Sequence, residues 1–159
     1  MAKAFIALGL ESFHSVGILG YNAPEWVIAQ NAAIMAQGFS VGIYTTSNAE
    51  AVKYIAQNSR ANILVAENKA QVKKILEVRE ELPNLKKIVQ YLGTPKDQDV
   101  MSWEELIQLG AKQEDKELND RLARIAINQC CMVLYTSGTT GKPKVFHVIS
   151  ISCSNFCNV

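Results

Sequence analysis

Compact apolar runs alternate with longer mixed segments along this chain, and the alternation sets the expected order of elements. Runs at residues 16–19, 39–44, 63–66, 86–91 and 130–136 carry clustered aliphatic side chains with little in-and-out alternation. Strands covered on both faces read this way, because neither side of the sheet meets water. The segments between them have helical character, so the chain repeats a β-α unit. Repeats of that kind build an α/β fold, a mostly parallel sheet with helices on both faces.

Local signals place the helices. Residues 2–8 read as a short amphipathic helix closed by Gly9. Asn22 and Pro24 open a long apolar helix that runs to Gln37 and is stopped by Gly38, with Trp26 expected to pack between helix and sheet. Ser47-Asn48-Ala49-Glu50 and Ser102-Trp103-Glu104-Glu105 both read as capping boxes, and Asn68 as a cap for a helix with Val72, Ile75, Leu76 and Leu82 on one face. Residues 112–124 read as a surface helix that turns Leu118, Leu122 and Ile125 inward. Residues 93–99 form a polar loop.

The apolar fraction of 48% suits one globular unit of 159 residues. Sixteen basic and fifteen acidic residues leave a formal charge of +1, which gives no support to a nucleic-acid partner. Cys130 and Cys131 are vicinal and Cys153 and Cys157 follow, a poor disulfide framework that reads as reduced thiols. A zinc site from His147, Cys153, Cys157 and one of the vicinal pair matches no familiar spacing, so no metal ligand is assigned. The opening ten residues are a poor secretory leader, and no stretch approaches a membrane span; a cytoplasmic location is expected.

The segment richest in chemistry is Tyr135-Thr136-Ser137-Gly138-Thr139-Thr140-Gly141-Lys142-Pro143-Lys144. Glycines let successive backbone N–H groups converge on an anion. Short hydroxyls can approach phosphate oxygens closely, and two lysines add charge from longer stems. Charge-assisted hydrogen bonds contribute roughly 1.5 to 3 kcal/mol each, so a few suffice to hold a polyphosphate. A Walker A loop is excluded: only Thr139 and Thr140 separate Gly138 from Gly141, and Pro143 follows Lys142. The segment follows directly on a strand, where ligand loops of open parallel sheets lie.

This ordered pattern resembles the phosphate-loop signature of the adenylate-forming enzymes. Three upstream stretches are similar to the bubblegum-type long-chain fatty acyl-CoA synthetases: Gly17-Ile18-Leu19-Gly20-Tyr21-Asn22-Ala23-Pro24-Glu25-Trp26, Gly38-Phe39-Ser40-Val41-Gly42-Ile43-Tyr44-Thr45-Thr46, and Asn128-Gln129-Cys130-Cys131. The resemblance covers residues 1–144, a partial adenylation domain, and residues 145–159 read as a divergent tail.

The resemblance implies ATP-dependent activation of a long-chain fatty acid through an acyl-adenylate, followed by transfer to coenzyme A. It implies Thr136, Ser137, Gly138, Thr139, Thr140, Gly141, Lys142, Pro143 and Lys144 as contacts to the nucleotide phosphates, with ATP, Mg2+ and coenzyme A required. The lipid substrate implies peripheral membrane contact. The family's magnesium-binding glutamate, adenine pocket and C-terminal lysine find no match here, so no catalytic residue is assigned. The chain is then expected to be a truncated form, inactive alone; the alternative is a non-catalytic nucleotide-binding or regulatory form.

Overall fold

The computed structural model describes residues 1–136 and 144–149, apart from the Lys144 side chain. The strands are β1 (Ser15–Leu19), β2 (Phe39–Ile43), β3 (Ala61–Ala66), β4 (Lys87–Gln90), β5 (Val100–Ser102), β6 (Cys130–Thr136) and β7 (Lys144–Ile149). They form one sheet in the order β5-β4-β3-β1-β2-β6-β7. Every pairing is parallel except β6 with β7. The helices are α1 (Ala2–Ala7), α2 (Pro24–Met35), α3 (Ala49–Asn58), α4 (Lys69–Glu77), α5 (Trp103–Ala111) and α6 (Lys116–Leu122). The expected α/β architecture holds.

All residues of the central strands β1 and β3 are buried. Their alternate side chains feed two separate cores. Val16, Ile18, Ile63 and Val65 meet Phe5, Ala29, Ala33, Trp103 and Leu106 from α1, α2 and α5. Leu19, Val41, Leu64 and Ile88 meet Val52, Ile55, Val72 and Ile75 from α3 and α4. This two-sided burial is the physical reason the strand segments lack alternation.

Several local expectations are corrected. The helix after β1 ends at Met35, and the left-handed residue beyond it is Gln37 (φ 63°), not Gly38. The cap of α3 is Asn48, whose side chain accepts from Ala51 N; Ser47 plays no such part. The surface helix is shorter than expected, and Leu122 is exposed. Arg121 turns inward instead, donating to the carbonyls of Leu10 (2.8 Å) and Ala36 (3.0 Å) while its Nε holds Glu117 at 3.0 Å. The Ser102–Glu105 capping box forms in full, and Asn68 caps α4 through Ala70 N and Gln71 N.

Two strands were not anticipated. β5 is only three residues long and extends the β4 edge, pairing Val100 with Ile88. β7 lies across the boundary placed at residue 144 and pairs antiparallel with β6.

Candidate functional site: the hairpin neck and its cleft

Thr136 and Lys144 are opposite partners at the end of the β6–β7 ladder. Antiparallel partners hold their Cα atoms about 4.5–5.5 Å apart. The chain therefore leaves the sheet at Thr136 and re-enters it at Lys144, beside the same place. Of the expected phosphate contacts, Thr136 is half-buried at the tip of β6, and Lys144 is placed by its backbone. Ser137, Gly138, Thr139, Thr140, Gly141, Lys142 and Pro143 lie outside the described residues.

The stem below that neck is held from one side by β7 and from the other by β2, but unequally. Pairing with β2 reaches only Gly42 opposite Leu134. Tyr135, the next residue, is 5% exposed. Its hydroxyl donates to Asn58 Oδ1 at 2.6 Å, and its ring meets that of Tyr54 edge-on at 6.3 Å. Burial, and then the neighbouring Tyr54, push the Tyr135 phenol up to about 12, so it is a neutral donor at physiological pH.

A cleft of about 510 Å³ opens beside this stem, at the carboxyl ends of β1, β2 and β6. Gly42 forms part of its floor; Tyr21, Trp26, Tyr44, Thr45 and Leu134 contribute to its walls. A Cβ on Gly42 would lie 3.4 Å from Trp26 Cζ2, so the absence of a side chain keeps the space open. Tyr21 and Tyr44 are 66% and 64% exposed, an unusual presentation of two rings at one mouth. Lys74 reaches from α4 to the Thr45 carbonyl at 2.6 Å and steadies the loop after β2. Trp26 does pack against the sheet, as expected, but it also faces this cleft.

No group of three His, Cys, Asp or Glu side chains among the described residues converges to hold a metal ion. Cys130 Sγ lies 3.7 Å from His147 Nδ1 across the hairpin, and burial raises the Cys130 thiol, which makes it a less reactive nucleophile. Cys153 and Cys157 lie outside the described residues. Among the described residues no helix is long and apolar enough to cross a membrane.

Strand β6 of this mostly parallel α/β sheet ends on the side where ligand loops of open sheets lie, and the glycine- and hydroxyl-rich sequence follows it in the chain. The profile of the AMP-binding enzyme family matches residues 1–150, and the chain belongs to that family. It is 52% identical over 145 residues to long-chain-fatty-acid–CoA ligase ACSBG2 of Xenopus laevis, covering 90% of this chain and 20% of that protein. It is 46% identical to the ACSBG1 ligase of Rattus norvegicus, covering 91% and 20%. Among solved structures, the anthranilate CoA ligase AuaEII in complex with anthranoyl-AMP superposes with a TM-score of 0.75 at 23% identity, over 94% of this chain and 27% of that one. Acetoacetyl-CoA synthetase from Streptomyces lividans gives a TM-score of 0.73 at 23% identity, over 94% and 24%. These two show the shared fold. The chain thus spans about a fifth of the curated relatives it matches.

Proposed function

We propose that this chain is the polyphosphate-binding part of a long-chain fatty acid–CoA ligase. The observation that carries the reading is the hairpin neck: Thr136 and Lys144 paired at a strand's carboxyl end, spanned by the Ser137–Pro143 signature. The bubblegum-type ligases among its relatives support the substrate class. In this reading ATP and a fatty acid give an acyl-adenylate and pyrophosphate, and the thiol of coenzyme A then displaces AMP. The loop holds donors around the oxygens that gain charge as pyrophosphate leaves, an effect of positioning and electrostatic stabilisation.

Thr136, Ser137, Gly138, Thr139, Thr140, Gly141, Lys142, Pro143 and Lys144 are the nucleotide-phosphate contacts of this reading, with Thr139, Thr140 and Lys144 the principal ones. No step is assigned to Mg2+ on this chain's described residues, because they supply no ligand cluster for it. A cytoplasmic setting with peripheral membrane contact follows from the lipid substrate. Taken as an isolated polypeptide, the 159 residues bind nucleotide without completing the thioester. A ligand at about 100 times its dissociation constant adds roughly 2.7 kcal/mol of stability, a shift that thermal unfolding resolves. MgATP is expected to raise the unfolding temperature, and Lys144→Ala combined with Thr139→Ala to abolish the rise. An equal shift in that variant would remove the loop as the binding site.

A further inference from the structure

The two helical layers of the sheet meet the outside differently. α3 and α4 bury Val52, Ile55, Val72 and Ile75 and expose Glu50, Gln57, Lys69, Lys73 and Glu77, so water suits that side. α2 is built the other way round. It sets Ala29, Ala32 and Ala33 into the core and leaves Val27, Ile28 and Met35 54%, 45% and 43% exposed. Glu25 is its only charged residue, and Asn31, within the outer stripe, turns back to donate from Nδ2 to the Val27 carbonyl at 2.9 Å. A groove of about 330 Å³ lies beside the stripe, walled by Ala2 of α1 and Leu118 of α6. Helices that are apolar on every side are buried ones.

We propose that the outer face of α2 is an interior surface of the complete ligase, covered by an apolar segment from the part of the polypeptide that this chain does not span; for the length of polypeptide available, this rests on the ligase reading. The chain matches the ACSBG2 ligase over 90% of its own length and 20% of that protein's, so four-fifths of such a polypeptide has to pack beside it. Of the two helical layers, only α2 offers a dry contact. A second copy of the chain fits less well. Twelve helical residues make a stripe about 18 Å long and about 10 Å wide, roughly 180 Å², against about 800 Å² per partner in a stable complex. A segment joined to the chain covalently meets it at high effective concentration, and a small contact then suffices.

The test places one pair of substitutions, Ile28→Lys with Met35→Lys, in two settings: the 159-residue chain, and a chimaera in which this chain replaces the matching 145 residues of the full-length ACSBG2 ligase. On the chain alone both positions meet water, so the unfolding temperature should stay within about 2 °C of wild type. In the chimaera two lysines buried without partners should lower it severalfold more, or leave no soluble protein. Lys73→Ala with Glu77→Ala, on the outer face of α4, should be neutral in both settings. Oxidation of Met35 by peroxide, mapped by mass spectrometry, needs no variant: the sulfur should oxidise readily in the chain alone and several times more slowly in the chimaera. A lysine pair as harmless in the chimaera as in the chain, Met35 oxidised at one rate in both, or an equal loss from the α4 pair overturns the proposal. A wild-type dimer in sedimentation that the lysine variant no longer forms also overturns it, in favour of a second copy. A chimaera that protects Met35 but forms no acyl-CoA fails the ligase activity while upholding the covered face.

Discussion

Gly38 lies against the backbone of His14: a Cβ at residue 38 would sit 2.7 Å from the His14 carbonyl oxygen and 3.2 Å from that of Ala33. Phe39 N donates to the same His14 oxygen at 3.2 Å, so this contact sets the start of β2 beside β1. The glycine is required by close approach, since the left-handed turn after α2 is made by Gln37.

Gly38→Ala should therefore destabilise the fold by about 2 to 3 kcal/mol, the upper part of the range for overpacking, because the obstructing atoms are backbone and cannot rotate away. Gly17→Ala is the control. Its nearest obstruction is the end of the Leu64 side chain, which can move. Urea unfolding of the two variants should rank them in that order, and an equal or smaller cost at Gly38 would contradict the contact.

Ser102 and Glu105 give a second, pH-dependent case. Glu105 Oε2 accepts from Ser102 N at 2.8 Å, while Ser102 Oγ accepts from Glu105 N at 3.2 Å. Those bonds to Ser102 hold the Glu105 carboxyl below its ordinary value. A depressed carboxyl stabilises the fold above its unfolded pKa, about 4.3, and that contribution disappears as pH falls through the folded value. Glu105→Gln should thus be less stable than wild type near neutrality, with the difference shrinking as pH drops below about 4. Ser102→Ala should cost about 1 kcal/mol at neutral pH. Denaturant midpoints measured across pH check both.

How much of this was legible in the sequence depends on what fixes each feature. Strands β1 and β3 could be read because two-sided burial writes itself as continuous apolar runs; β6 reads as apolar too, although only alternate residues, Cys131, Val133 and Tyr135, are buried. β5 could not, since Val100-Met101-Ser102 is too short for any period and exists because the β4 edge accepts it. β7 begins at the boundary expected at residue 144, although the family profile runs to residue 150, and its apolar Val145, Phe146 and Ile149 form a strand by pairing with β6. Leu122 was expected to face inward; Arg121 took that side because two helix-end and loop carbonyls, at Ala36 and Leu10, needed a donor. The signature at residues 135–144 points to a phosphate loop whose residues 137–143 lie outside the described residues, whereas the Tyr135–Asn58 bond spans 77 positions and leaves no local trace. The aromatic mouth was equally hidden, because Tyr21 and Trp26 follow β1 while Tyr44 comes from the separate segment after β2.

Trp26 and Trp103 should be distinguishable in solution. Trp103 is 7% exposed and packs edge-on to Tyr91, whereas Trp26 is half-buried at the open cleft. Acrylamide should quench the emission of a Trp103→Phe chain strongly and that of a Trp26→Phe chain weakly. Gly42→Leu, which fills the floor beneath Trp26, should shift the Trp26 emission and lower its quenching. Equal quenching of the two single-tryptophan chains would mean that the cleft is closed in solution.

The alkaline limb of stability should be set in part by two phenols, the half-buried Tyr91 and the buried Tyr135. Burial, followed by Glu67 and Glu25, pushes Tyr91 up to about 12; burial, followed by Tyr54, does the same for Tyr135. The neutral phenol is the form the fold favours. Its contribution is fully present below the unfolded value of about 10 and is lost as pH rises from there toward about 12. Loss of the proton also removes the donor from the Tyr135–Asn58 bond. Stability measured by urea unfolding should fall over that interval, and Tyr135→Phe should show a shallower fall, since it has one fewer phenol to ionise. The advantage of wild type over Tyr135→Phe should shrink as pH approaches 12. Ultraviolet difference absorbance should show the corresponding phenols ionising together with unfolding; their ionisation near 10 in a folded chain would contradict the burial assigned to them.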